Sequence, residues 1–264
     1  MNKLVLSALA AVCLSACVDT TVGGASGVER RQLLLVSEAE INAMSDKSYN
    51  ALVEKARADG SLVTGSELNR LQRIAQRLIP QTNYLRAGSS QWNWQVNLIR
   101  SDQLNAFCAP GGKIMFYSGI VNKLQLTDDE IAAIMGHEMA HALREHGREN
   151  VSRAYAEQTG LGVLASMTGM GEGMTQIASL VSKVGVSLPN NRTQETEADI
   201  QGLELMARAG YNPQAAITLW QKMAAANSAG VPQFMSTHPA PANRISNLQN
   251  LMPRVMPLYQ QARQ

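Results

Sequence analysis

His137-Glu138-Met139-Ala140-His141 is the stretch around which the rest of this chain has to be arranged. Residues four apart on a helix share a face, so His137 and His141 can hold one metal ion between them. Glu138, one position on, can reach a water molecule at that ion. Two imidazoles and an adjacent carboxylate are the minimal set expected of a zinc hydrolase that cuts peptide bonds. The chain has 4 histidines, at 137, 141, 146 and 238, so any further ligand comes from two histidines or from carboxylates.

The helix carrying this stretch is well announced. Thr127 is a good N-cap, Asp128 and Asp129 fill the first turn, and Glu130 completes a capping box. Ile131, Ile134, Met135 and Leu143 supply apolar anchors, and Arg144 with Glu145-His146-Gly147 marks a polar end. Upstream, between 92 and 120, the period changes to two: Trp94, Val96 and Leu98 alternate with Gln95 and Asn97. Leu104–Ala109 and Lys113–Ser118 read as two more strands around Pro110-Gly111-Gly112. Farther upstream, Ser37–Ala58 reads as helix. Thr64 opens another, with Glu67 closing a capping box and Leu68, Leu71, Ile74, Ala75 and Leu78 at helical spacing before Pro80. Downstream, glycines scattered through Leu, Val, Met and Ala from 160 to 188 suggest a hairpin covering the site. A helix over Thr193–Ala209 stops at Gly210, another runs from Asn212-Pro213 to about Ala226, and a short one closes the chain at Arg244–Met252. The fold class expected is α+β, mostly helical, with a small β-sheet packed against the metal-bearing helix, a layout that resembles the zincin peptidases.

Catalytic zinc takes three protein ligands and leaves the fourth position open. A third ligand in the metzincin manner would need Gly at 144 and His at 147, where Arg144 and Gly147 stand. On a continuous helix His146 lies about 140° from His141, which makes it a solvated helix-end histidine. A carboxylate from Glu195-Thr196-Glu197-Ala198-Asp199 remains. Glu195 and Asp199 share a face, so one can bind metal while the other supports a ligand histidine, with Glu197 in reserve.

The amino-terminal residues read as a targeting segment: Lys3, then a short apolar run from Leu4 to Ala16. Leu14-Ser15-Ala16-Cys17 resembles a bacterial lipobox, which implies cleavage before Cys17, lipidation of that cysteine and stable membrane anchoring. Val18, where Asp would signal retention, implies delivery to the periplasmic side of the outer membrane. Residues 18 to about 30, with Gly23, Gly24 and Gly27, read as a flexible tether. The expected organisation is a signal peptide over 1–16, a lipidated tether and helical region over 17–60, and a zinc metallopeptidase domain over 61–264. Cys108 sits in an apolar run and reads as a buried, inert thiol. A net charge of +2 with no basic cluster excludes nucleic acid as a partner.

Asn105-Ala106-Phe107 followed by Pro110-Gly111-Gly112, the His-Glu-x-x-His helix, Glu-x-Glu-Ala-Asp, and Ser236-Thr237-His238-Pro239 followed by Arg244 occur in this order. The set resembles the gluzincin zinc metallopeptidases of the HtpX, BepA, LoiP and CAAX prenyl protease type, in their soluble periplasmic lipoprotein branch, over roughly residues 65 to 250. The resemblance implies one Zn2+ per chain held by His137, His141 and Glu195, with Asp199 behind a ligand histidine and Glu138 as general base. It implies that His238 and Arg244 face the developing oxyanion, or that His238 sits on the zinc as a self-blocking fourth ligand. It implies that Asn105, Ala106 and Phe107 pair with an extended substrate. The activity implied is a metalloendopeptidase acting on misfolded or misassembled cell-envelope proteins. The alternative is a chaperone-like outer-membrane protein assembly factor with a blocked site. A purely structural zinc site leaves Glu138 without a role.

Overall fold

A computed structural model describes residues 17–25, 27–167, 190–226, 233–239 and 243–264. The segment before Cys17 lies outside the described residues, as does 168–189, which holds most of the expected covering hairpin. The elements are β1 (Cys17–Val18), β2 (Gln32–Leu33), α1 (Glu38–Ala58), β3 (Leu62–Val63), α2 (Ser66–Leu78), β4 (Gln95–Ile99), β5 (Ala106–Ala109) and β6 (Lys113–Tyr117). They continue with α3 (Ser118–Lys123), α4 (Asp128–Leu143), α5 (His146–Met167), α6 (Arg192–Arg208), α7 (Gln214–Ala226), α8 (Gln233–Thr237) and α9 (Arg244–Gln261). The chain is mostly helical with a small sheet, which bears out the α+β expectation. Among the described residues no helix is long and apolar enough to cross a membrane.

Helix α4 anchors the fold. Thr127 Oγ1 accepts the Glu130 N–H at 3.3 Å, and Glu130 Oε2 accepts the Thr127 N–H at 2.9 Å, the capping box read from the sequence. Three acidic residues in the first turn complement the positive end of the helix dipole. Every residue from Glu130 to Leu143 is buried, so the helix is wrapped on all sides. The buried Glu130 carboxylate is matched by Lys222 Nζ at 2.7 Å and the Thr218 hydroxyl at 3.0 Å, which ties α7 to the start of α4.

The sheet has the order β3-β4-β6-β5, with β4 parallel to β6 and the outer pairs antiparallel. Strand β5 is buried on both faces. Ala106 and Cys108 join the core around α4, whereas Phe107 and Ala109 pack with Tyr49, Val53 and Ala56 of α1, as a period of two requires. Burial pushes the Cys108 thiol well above its ordinary range, in keeping with an inert cysteine. The turn into β6 needs glycine: Gly111 and Gly112 have φ of +77° and +84°, and a Cβ at Gly112 would stand 2.7 Å from the Trp94 ring.

On its other side α4 meets α6 backbone to backbone. A Cβ at Gly136 would lie 2.8 Å from the Gly202 carbonyl oxygen, and one at Gly202 would lie 2.7 Å from the His137 nitrogen. The absence of two side chains therefore sets the distance between the helix carrying His137 and His141 and the helix carrying Glu195.

Several expectations need correction. Helix α2 begins at Ser66 behind Gly65, whose φ of 82° and ψ of −147° suit glycine, so Thr64 and Glu67 form no capping box. Helix α9 runs past Pro253 and Pro257 to Gln261, held by burial of Met252 and Val255. The segment read as a flexible tether is packed onto the body. Cys17 and Val18 pair with Leu33 and Gln32, the Val22 N–H donates to Leu85 O at 2.8 Å, and the Ala25 N–H donates to Glu204 Oε1 at 3.1 Å. Glycine and threonine content reports a permissive backbone, and it is silent on whether buried partners await the polar groups.

Here they do. Arg30 grips Glu149 with Nη1 at 2.7 Å and Nη2 at 2.8 Å, and Gln32 Nε2 donates to the Arg144 carbonyl at 2.6 Å. Burial opposes the Glu149 carboxylate, but hydrogen bonds from Arg30, Gln194 and Gln32 outweigh it and hold the group at about 2. A folded-state pKa below the unfolded value, about 4.3, adds stability that is complete above the unfolded value and is lost as pH falls toward the folded one. The urea midpoint of the metal-free protein is expected to fall between pH 5 and pH 2.5, and Glu149→Gln to flatten that fall. An equal fall in the variant would refute the assignment.

Candidate metal centre

Helix α4 presents His137, Glu138 and His141, and α6 presents Glu195 and Asp199 across the glycine contact. His238 follows α8, and Arg244 opens α9. His137, His141, Glu195 and His238 each offer one ligand atom, all within 4.8 Å of one another, and all four residues are buried. His137 Nε2 lies 3.1 Å from His141 Nε2, 3.3 Å from His238 Nδ1 and 3.3 Å from Glu195 Oε2. Glu195 Oε1 lies 3.2 Å from His141 Nε2 and 3.0 Å from His238 Nδ1. Four donors at about 2.0–2.1 Å from one tetrahedral zinc stand about 3.3 Å apart. The donor set and its spacing therefore fit zinc.

Glu138 lies beside this set, outside it. It is 2% exposed, its Oε1 has no hydrogen-bond partner among the described residues, and His238 Nε2 stands 3.4 Å from that oxygen. Burial pushes its carboxyl above the ordinary range, against the pull of His238 and His137. Burial opposes the charged form of His137 too, but Asp199 and Glu195 outweigh it and raise that imidazole to about 10. Burial holds His141 well below the usual imidazole range and lowers His146 as well.

Asp199 Oδ1 lies 3.0 Å from His137 Nδ1, on the side of the ring away from the cluster. Arg244 binds the other Asp199 oxygen through Nε at 2.5 Å and Glu195 Oε2 through Nη2 at 2.6 Å, with its plane 3.8 Å over the Trp220 ring. It braces two carboxylates, and its Nη1 has no hydrogen-bond partner among the described residues. His238 is within the four-donor set, and Phe234 stacks on it with centroids 4.5 Å apart. Asn105, Ala106 and Phe107 are buried at 5%, 1% and 6% exposure, and the Phe234 N–H donates to Leu104 O at 3.0 Å. Helix α8 is thus docked at Leu104, two residues ahead of β5.

His146 was expected in solvent and is 1% exposed. The wheel argument assumed a continuous helix, but the chain breaks at Glu145, whose φ is +52°. The break swings His146 back, placing its Nδ1 2.8 Å from His141 Nδ1 and its Nε2 3.0 Å from Glu197 Oε2. Glu197, held in reserve as a ligand, belongs to this second group. The polar helix end is a buried knot in which Arg144, 0% exposed, binds Glu197 at 3.2 Å and Thr21 at 3.1 Å. The sequence signal was the run of polar residues itself, and spacing could not orient it.

The profile of peptidase family M48 matches residues 66–252, more than half of the chain. The chain is 36% identical over 178 residues to the mitochondrial metalloendopeptidase OMA1 of Saccharomyces cerevisiae, covering 64% of this chain and 50% of that protein. It is 26% identical over 257 residues to the metalloprotease LoiP of Escherichia coli, covering 96% and 97%. It is 26% identical over 219 residues to the beta-barrel assembly-enhancing protease of Yersinia pestis, covering 78% and 43%. The chain spans about half the length of the mitochondrial relatives it matches.

Proposed function

The chain belongs to peptidase family M48, and from that premise we propose that it is a zinc-dependent metalloendopeptidase acting on misfolded or misassembled cell-envelope proteins. The observation that carries this reading is the buried four-donor set with Glu138 alongside it and outside it. His137, His141 and Glu195 hold one zinc ion, Asp199 steadies His137, and Arg244 steadies Glu195 and Asp199. The chemistry zinc supplies at such a site is Lewis acidity, enough to bring the pKa of a water to about 7 and to polarise a carbonyl. Glu138 removes the proton of the attacking water and delivers it to the leaving amine. Asn105, Ala106 and Phe107 offer backbone to an extended, unfolded substrate once α8 has moved aside.

The lipobox-like Leu14–Cys17 supports a lipid anchor at Cys17 on the periplasmic side of a bacterial outer membrane. The name of the Yersinia relative, which refers to β-barrel assembly, supports envelope substrates. Cys17→Ser is expected to move the protein from the membrane to the soluble fraction; retention in the membrane would refute the anchor.

His238 favours a second, compatible reading, a self-blocked site suited to an assembly factor. Its Nδ1 takes the fourth position of the donor set, 3.0 Å from Glu195 and 3.3 Å from His137. Metal analysis with a casein assay on wild type and His238→Ala tests it. Release of a blocking ligand raises cleavage by the inverse of the open fraction, on the order of tenfold. Loss of an oxyanion donor would lower it by roughly 10²–10³-fold. The opposite signs separate the two roles.

A further inference from the structure

We propose that His146 orients the metal ligand His141, and that Arg30 of the amino-terminal strap, the packed segment joining β1 to β2, fixes His146 through Glu197, so that the strap is part of the metal site. This rests on the zinc reading given above. The protons decide the direction of the chain. His141 turns Nε2 into the four-donor set, 3.1 Å from His137 Nε2 and 3.2 Å from Glu195 Oε1, so that nitrogen must be free of its proton to bind metal. The proton is therefore on Nδ1, which stands 2.8 Å from His146 Nδ1 and donates to it. His146 then keeps its own proton on Nε2, which faces Glu197 Oε2 at 3.0 Å. Both hydrogen bonds point away from the metal, the first ending on His146 Nδ1 and the second on the Glu197 carboxylate. A ligand imidazole ordinarily gives its outer N–H to a carboxylate, a carbonyl or water, and those partners set its ring orientation and basicity. Here a neutral imidazole stands between ligand and carboxylate.

Glu197 cannot drift. Arg30 holds it through Nε at 2.5 Å and Nη2 at 3.1 Å, and Arg144 through Nε at 3.3 Å and Nη2 at 3.2 Å. Arg30 alone among these groups comes from the strap, and its fork also spans Glu149. Removing it leaves Glu149 and Glu197 together in a buried pocket with less positive charge between them, so Glu197 relaxes and His146 loses its fixed orientation. The strap contributes no ligand and still sets one.

The test measures zinc dissociation constants by competition with a chromophoric chelator. It adds the absorption bands of the Co2+-substituted protein and the unfolding temperature of the metal-free protein. His146→Leu, which leaves the His141 N–H without an acceptor, is expected to weaken zinc binding roughly 10- to 100-fold and to shift the Co2+ bands. His146→Asn, whose side-chain oxygen replaces Nδ1, recovers most of that loss. Arg30→Ala is expected to weaken zinc and shift the bands in the same direction as His146→Leu, with Arg30→Lys intermediate. Arg30→Lys and Glu197→Gln serve if Arg30→Ala does not fold. A lower unfolding temperature with zinc affinity and Co2+ bands unchanged would make the network a strut and overturn the proposal. An effect of His146 variants without one of Arg30 or Glu197 variants would overturn it as well. Failure of the wild-type protein to bind zinc would instead remove the zinc reading on which it rests.

Discussion

Exchange of Glu138 for Gln will leave the zinc content unchanged and lower cleavage of casein by roughly 10²–10⁴-fold, the usual contribution of a general base. Gln has the shape of Glu, so the buried pocket keeps its packing. Zinc content holds because Glu138 is outside the set of His137, His141, Glu195 and His238. The unpartnered Oε1 of Glu138 marks where the loss originates, since nothing else among the described residues consumes that acceptor. An amide there can accept from water but cannot take the proton away. Cleavage near the wild-type rate that also resists a chelator would remove both the base and the metal from the mechanism.

Gly202→Val has the second large effect, and it acts without touching a ligand. The new Cβ would stand 2.7 Å from the His137 nitrogen, 2.8 Å from its Cα and 2.9 Å from the Gly136 carbonyl carbon. All three are backbone atoms, so no rotamer change relieves the contact and α6 must move away from α4. Overpacking of this kind costs about 1–3 kcal/mol in stability. The functional loss is larger, because Glu195 and Asp199 ride on α6 while His137 and His141 ride on α4. Metal sites tolerate departures of about 0.2 Å, and a misplacement near 1 Å costs roughly 10²-fold in rate. Zinc affinity and casein cleavage are both expected to collapse in folded Gly202→Val protein. Wild-type zinc affinity with an unchanged unfolding temperature would refute the packing argument.

The parts of this molecule that sequence exposes are those with local rules. The Thr127–Glu130 capping box, the period of two through Val96 and Leu98, and the four-residue spacing of His137 and His141 each follow from backbone geometry within one element. The family likeness supplied what no local rule reaches, the pairing of α4 with Glu195 on α6. What stayed hidden depends on single backbone torsions or on partners far along the chain. His146 was misplaced because one left-handed residue, Glu145, resets the helical wheel. The bracing role of Arg244 was hidden because Glu195 and Asp199, the carboxylates it binds, lie 49 and 45 residues away in sequence. The strap was misjudged because its polar residues are ordinary until Arg144, Glu149 and Glu197 are known to lie beneath them.

That strap also bears on the order of events during folding. Arg30 meets partners 119 and 167 residues farther along the chain. A chain made from its amino terminus holds residue 30 early and residue 197 late, and long-range contacts form last because they close the largest loops. The segment made first is thus among the last to seat. Until it does, the support behind His141 is incomplete, and the metal site is finished only when Arg30 reaches Glu197.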